Sequence, residues 1–218
     1  MFGLDPVIIA LRIPALLISI TIHEYAHARM AYHFGDTTAK MQGRMNLNPI
    51  NHLDLFGTIM ILLVGFGWAK PVPINPYKFN NYRRGLRWVS FAGPLSNFTL
   101  GFISMLFYYI LWNAGSLASG GLFADFIYVL ITLNIMLGIF NLLPIPPLDG
   151  SKILMSFLPD SYLGFYRQIE RYAMLILFGL IFIPIPGPYR SILHLIIVPT
   201  SEAVLFLFDT IIRFIPGL

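Results

Sequence analysis

Ala15-Leu16-Leu17-Ile18-Ser19-Ile20-Thr21-Ile22-His23-Glu24-Tyr25-Ala26-His27 carries an apolar segment straight into three ionisable side chains. Histidines at i and i+4 lie one helical turn apart on one face, so both imidazoles can reach one metal. H-E-x-x-H is the spacing of zinc hydrolases. The glutamate beside the first histidine sits where it can take a proton from an attacking water. Ionisable groups within a membrane helix are costly and mark function. The expectation is a metal-dependent hydrolase with its centre inside the bilayer.

Composition supports the membrane setting. Of 218 residues, 57% are hydrophobic and 11% charged, against about 25% charged in a soluble domain, and the mean hydropathy is +0.74. With no cysteine, any metal must be held by histidine or carboxylate. The net charge of +4 does not point to nucleic acid, because the basic residues cluster between apolar segments, as cytoplasmic loops do. No cleavable signal peptide, internal repeat or separate soluble domain is expected.

Pro6 to Phe34 reads as one helix, with Pro14 inside it and Gly35-Asp36 ending it. His23 lies about 24 Å past Val7 at 1.5 Å per residue, near the far end of a core about 30 Å thick. Thr38 to Leu47 alternates, with Ala39, Met41, Gly43, Met45 and Leu47 on one side, which is strand periodicity. A small hairpin or sheet is expected there, its exposed edge open to an unwound substrate backbone. Leu55 to Trp68 is too short for a full span and glycine-interrupted, and reads as re-entrant. Lys70 to Pro76 is held extended by its prolines. Trp88 to Trp112, Leu122 to Leu143, Tyr172 to Ile185 and Ile192 to Ile215 read as further spans, with a short amphipathic helix within Ser151 to Arg171. The fold class expected is an all-α polytopic membrane protein with about five spans, a re-entrant segment and a small β-element.

The positive-inside rule places Lys70 to Arg87, and the end of the first helix, in the cytoplasm. Both fit only if Leu55 to Trp68 does not cross. The next two spans then run out and back, and Asp149 returns to the side of His23 and His27. Arg12 and Arg190 are the exceptions, toward the outside.

A catalytic zinc takes three protein ligands and leaves one position open. His23 and His27 supply two. Asp149 fits best as the third, because a proline-rich turn can fold it back, with His52 as the runner-up. His33 and His194 read as interfacial or packing residues. Asn97 and Asn141 could bind substrate backbone or stabilise an oxyanion, against plain helix–helix bonding, which is the preferred reading of Asn134.

Together these residues resemble the site-2 protease family of intramembrane zinc metalloproteases. Asn141-Leu142-Leu143-Pro144-Ile145-Pro146-Pro147-Leu148-Asp149-Gly150 matches its N-x-x-P-x-P-x-x-D-G motif, and Gly93-Pro94-Leu95-Ser96-Asn97 its G-P-x-x-N element. The resemblance implies His23, His27 and Asp149 as ligands of one Zn2+ and Glu24 as the catalytic base. It also implies cleavage of transmembrane substrates to release a regulatory fragment. It covers residues 8 to 155 and is to the short form, without PDZ or CBS domains. One domain over 1–218 is expected, with a catalytic core over 6–155 and accessory helices over 156–218. It would lie in a prokaryotic cell membrane, with the active site toward the cytoplasm and the N-terminus outside. The partners expected are a transmembrane substrate and the bilayer, with self-association left open. Two competing readings are a metal or proton transporter using the same His/Glu/Asp cluster and a non-catalytic scaffold. A zinc hydrolase acting on lipid or prenylated substrates is a third.

Overall fold

The computed structural model describes residues 6–54, 57, 69–117 and 121–216. The apolar periodic segments become helices: α1 (Pro6–His33), α2 (Thr38–Met41), α3 (Tyr82–Asn113), α4 (Leu122–Leu142), α5 (Asp149–Met155), α6 (Asp160–Arg171), α7 (Ala173–Phe182) and α8 (Ile192–Arg213). Short 3-10 turns occupy Pro49–His52 and Pro76–Lys78. Side-chain oxygens cap two of the long helices: Asn81 accepts from Arg84 N at 3.0 Å and Ser191 from His194 N at 3.2 Å.

The first helix packs against α3 and α4, and α4 packs against α8. The centre of this bundle is a stripe on α4 at four-residue spacing, Ile127, Ile131, Ile135 and Ile139, joined by Ile197 of α8. Gly138 lets the Phe98 ring lie flush on α4, since a β-carbon there would approach it to 2.9 Å. Among the described residues α3, α4 and α8 are long and apolar enough to cross a membrane. Three of the five expected spans are therefore found among the described residues. The seventh helix has 10 residues, about 15 Å, half of a bilayer core. The first, at 28 residues, has the length for a span. The re-entrant expectation for Leu55 to Trp68 falls almost wholly outside the described residues.

The expected strand at Thr38 to Leu47 is not formed. Asp36 accepts from Thr38 N at 2.9 Å. That starts a helical turn in which Met41 N and Gln42 N return to the carbonyls of Thr37 and Thr38. Gly43 then turns the chain at φ +65°. Of the alternating apolar residues only Ala39 is buried, while Met41 and Leu47 face outward. The alternation thus had no sheet to face. Among the described residues the only β-pairing is one antiparallel bridge, Leu53 to Ala69.

Two connections shape the site. After α1, Asp36 also accepts from Asn75 N at 2.6 Å, and Asn80 N reaches the Phe34 carbonyl at 2.9 Å. These bonds dock the Lys70–Asn80 stretch onto the end of α1. After α4, the prolines stop the helix and α5 starts at Asp149. At Gly150 a β-carbon would stand 2.1 Å from the Leu142 carbonyl oxygen and 2.5 Å from that of Leu143. Only glycine lets α5 begin so close to the end of α4, and that closeness folds Asp149 inward.

Candidate metal centre

Ala15, Ser19, His23, His27 and Ala31 repeat every fourth residue along α1, and all five are buried. Each step of four overshoots a full turn by only about 40°, so the adjacent His23 and His27 share one face, which presents the imidazoles to α3. There Gly93 receives them. A β-carbon at 93 would lie 2.4 Å from His27 Nε2 and 2.6 Å from His23 Nε2.

Asp149 arrives from the start of α5. Its Oδ2 lies 3.2 Å from His23 Nε2 and 3.0 Å from His27 Nε2, and the two Nε2 atoms are 2.9 Å apart. Its other oxygen, Oδ1, is 3.6 Å from Lys152 Nζ. His23, His27 and Asp149 form a buried group that could hold a metal ion.

The remaining ring nitrogens make the cluster suited to a cation. His27 Nδ1 is 2.7 Å from the Val89 carbonyl, an acceptor only, so Nδ1 carries the proton. His23 Nδ1 is 2.6 Å from Asn97 Oδ1. In neutral rings both Nε2 atoms are then acceptors. Two lone pairs and a carboxylate converging within 3.2 Å repel one another unless a positive charge sits among them. Tetrahedral ligands about 2.05 Å from zinc stand about 3.3 Å apart, close to the separations found. The donor set, two imidazoles and one carboxylate, is that of a catalytic zinc with one position left open.

Glu24 is buried beside this cluster. Its Oε2 accepts from Val72 N at 2.7 Å. The carboxylate is thus held by the proline-flanked stretch docked on α1, a contact no spacing rule reveals. His52 stands apart: it is fully buried, with Nε2 on the Asn46 carbonyl at 2.9 Å, and is not in the cluster. His33 packs edge-on to Phe34, and His194 neighbours Tyr189. Asn141 donates to the Leu137 carbonyl of its own helix at 3.0 Å. Asn97 is drawn into a network with Asn134 and Ser19.

Known proteins resemble this chain. A family model described as "Peptidase family M50" matches residues 110–184, which include Asp149 but not the histidines. The chain is 45% identical over 178 residues, 80% of each chain, to a Bacillus subtilis protein named "Putative zinc metalloprotease YwhC". The chain belongs to the M50 (site-2 protease) family. It is a zinc-dependent metallopeptidase and an integral membrane protein. It is also 28% identical over 176 residues to "Putative zinc metalloprotease Rip2" of Mycolicibacterium smegmatis, covering 77% of this chain and 65% of that one. To "Zinc metalloprotease MJ0392" of Methanocaldococcus jannaschii it is 27% identical over 177 residues, 76% of this chain and 42% of that one. No solved structure matches the chain.

Proposed function

We propose that this metallopeptidase hydrolyses peptide bonds in or next to transmembrane segments of other membrane proteins, releasing a regulatory fragment from the bilayer. His23, His27 and Asp149 hold one zinc, and Glu24 is the catalytic base. The observation that carries the reading is the place of the cluster along α3. Gly93, against which both histidines lie, is six residues beyond Arg87 on α3, or about 9 Å further along the helix. A centre set into the body of an apolar helix meets substrates that are themselves in the membrane.

Zinc, when bound, supplies a Lewis acid that polarises a carbonyl and makes water a stronger nucleophile. The side chains do the rest. Glu24 takes the proton of the attacking water and passes it to the leaving amine. Val72 N–H fixes one Glu24 oxygen, leaving the other for that transfer. His23, Glu24, His27 and Asp149 are all buried, so the charge that develops is met by fixed dipoles.

Lys78, Arg83, Arg84 and Arg87 gather at the end of α3 nearer Gly93, and Lys152 lies beside Asp149. This supports an active site toward the cytoplasmic face of a prokaryotic cell membrane. Co-expression with tagged single-span membrane proteins, comparing wild type with Glu24→Gln, tests the function. A shortened product made only by wild type, and lost on zinc chelation, is expected. Identical products from both would remove Glu24 from the chemistry. Metal flux lost in Glu24→Gln, with every substrate intact in both, would favour a transporter.

A further inference from the structure

Ser19, Asn97 and Asn134, from three different helices, are fully buried and bonded to one another at the foot of His23. The directions of these bonds are fixed by backbone carbonyls, which only accept. Ser19 Oγ donates to the Ala15 carbonyl at 2.7 Å, so it accepts from Asn134 Nδ2 at 2.8 Å. Asn134 Nδ2 gives its second hydrogen to the Leu130 carbonyl at 2.8 Å. Its Oδ1 must then be the atom facing Asn97 Nδ2, at 2.9 Å. Asn97 Nδ2 gives its other hydrogen to the Ser19 carbonyl at 3.2 Å. Every amide hydrogen of both asparagines is used, so Asn97 has only Oδ1 to offer His23, and Oδ1 accepts.

We infer that Asn97, oriented by Asn134 and Ser19, is a positioning residue that keeps the His23 proton on Nδ1 and leaves Nε2 bare for the metal. His27 needs no such relay, because the Val89 carbonyl sets its tautomer directly. With both hydrogens spent, Asn97 has no donor left for an oxyanion. The inference rests on the ligand assignment proposed above. Partners that orient a ligating imidazole are worth roughly 10–100-fold in metal affinity.

The test is zinc affinity by chelator competition on the detergent-solubilised full chain. A second readout is the ¹⁵N spectrum of metal-free protein labelled at histidine, with His23 assigned by substitution. Wild type is expected to bind one zinc and to show His23 protonated at Nδ1. Asn97→Leu is expected to lose about 10–100-fold in affinity and to show mixed His23 tautomers. Ser19→Ala, which removes a single hydroxyl and so keeps the fold, is expected to weaken zinc binding less. Combined with Asn97→Leu it should add nothing, since both act through one bond. Thr99→Val, an exposed residue of α3 outside the network, should leave affinity unchanged. Unchanged affinity and an unchanged tautomer in Asn97→Leu would overturn the inference, as would losses that simply add. If Asn97→Leu does not fold, wild-type affinity and tautomer in Ser19→Ala would overturn it. Wild type that binds no zinc would instead sink the ligand assignment.

Discussion

Gly93→Ala places one methyl group where the imidazoles converge. The added carbon would stand 2.4 Å from His27 Nε2 and 2.6 Å from His23 Nε2. Non-bonded carbon and nitrogen sit about 3.5 Å apart, so each ring must retreat by about 1 Å. Zinc ligands tolerate about 0.2 Å, several times less. Overpacking costs roughly 1–3 kcal/mol, and replacing a helical glycine by alanine returns about 1 kcal/mol. The metal-free protein should therefore lose at most about 2 kcal/mol and stay folded. Zinc affinity should fall by 100-fold or more, about 2.7 kcal/mol, and proteolysis with it. Metal content after dialysis against a weak chelator reads the effect, with circular dichroism as the folding check. Gly101→Ala on the same helix is the control, since its nearest neighbour would be Ile135 Cγ1 at 3.4 Å. If Gly93→Ala kept stoichiometric zinc at wild-type affinity, the placing of the metal against α3 would be wrong.

Two further outcomes follow from the connections that hold Glu24. Val72→Pro removes the N–H that binds Glu24 Oε2; the turnover rate should drop roughly tenfold, one charged hydrogen bond's worth, with zinc content unchanged, and wild-type turnover would show that this contact does not organise the base. Burial pushes the Asp36 carboxyl up, but hydrogen bonds from the Thr38 side chain, Asn75 N–H and Thr38 N–H outweigh it and hold the group below its ordinary 3.8. Its stabilising share is therefore complete above that value and lost as pH falls through the lower folded one. The thermal midpoint of wild type should exceed that of Asp36→Asn near neutrality, the gap should begin to close as pH falls past the ordinary 3.8 and should vanish once pH is below the lowered folded value; a gap of constant size down through that range would refute the role of the charge.

Much of the centre was legible because its signals are local. The i, i+4 histidines and the proline-rich acid each depend on one turn of chain. The parity of the expected crossings put Asp149 on the side of the histidines, and in the structure the three side chains meet. The buried repeat of small residues at Ala15, Ser19 and Ala31, on which the histidines ride, is a signal that the sequence expectations did not draw on. The illegible parts depend on distance between elements. Gly93 and Gly150 look like ordinary helix weaknesses until the atoms they admit are seen. The Val72 contact is made by a backbone group, which every residue but proline possesses and no pattern marks. The alternation at Thr38 to Leu47 failed for a related reason: period two predicts a strand only where a partner strand is present, and Asp36 had already bound the local amides.

His27 and Asp149 stand 122 residues apart in the chain. Ribosomes add about 5–20 residues per second, so this gap takes about 6–24 s to synthesise. During that time the nascent protein holds two imidazoles, a glutamate and no third ligand. On the proposed assignment it cannot form its centre until α4 has been built and the turn behind it has closed. On that assignment, activity waits for the last ligand, and the protease is silent while it is being made.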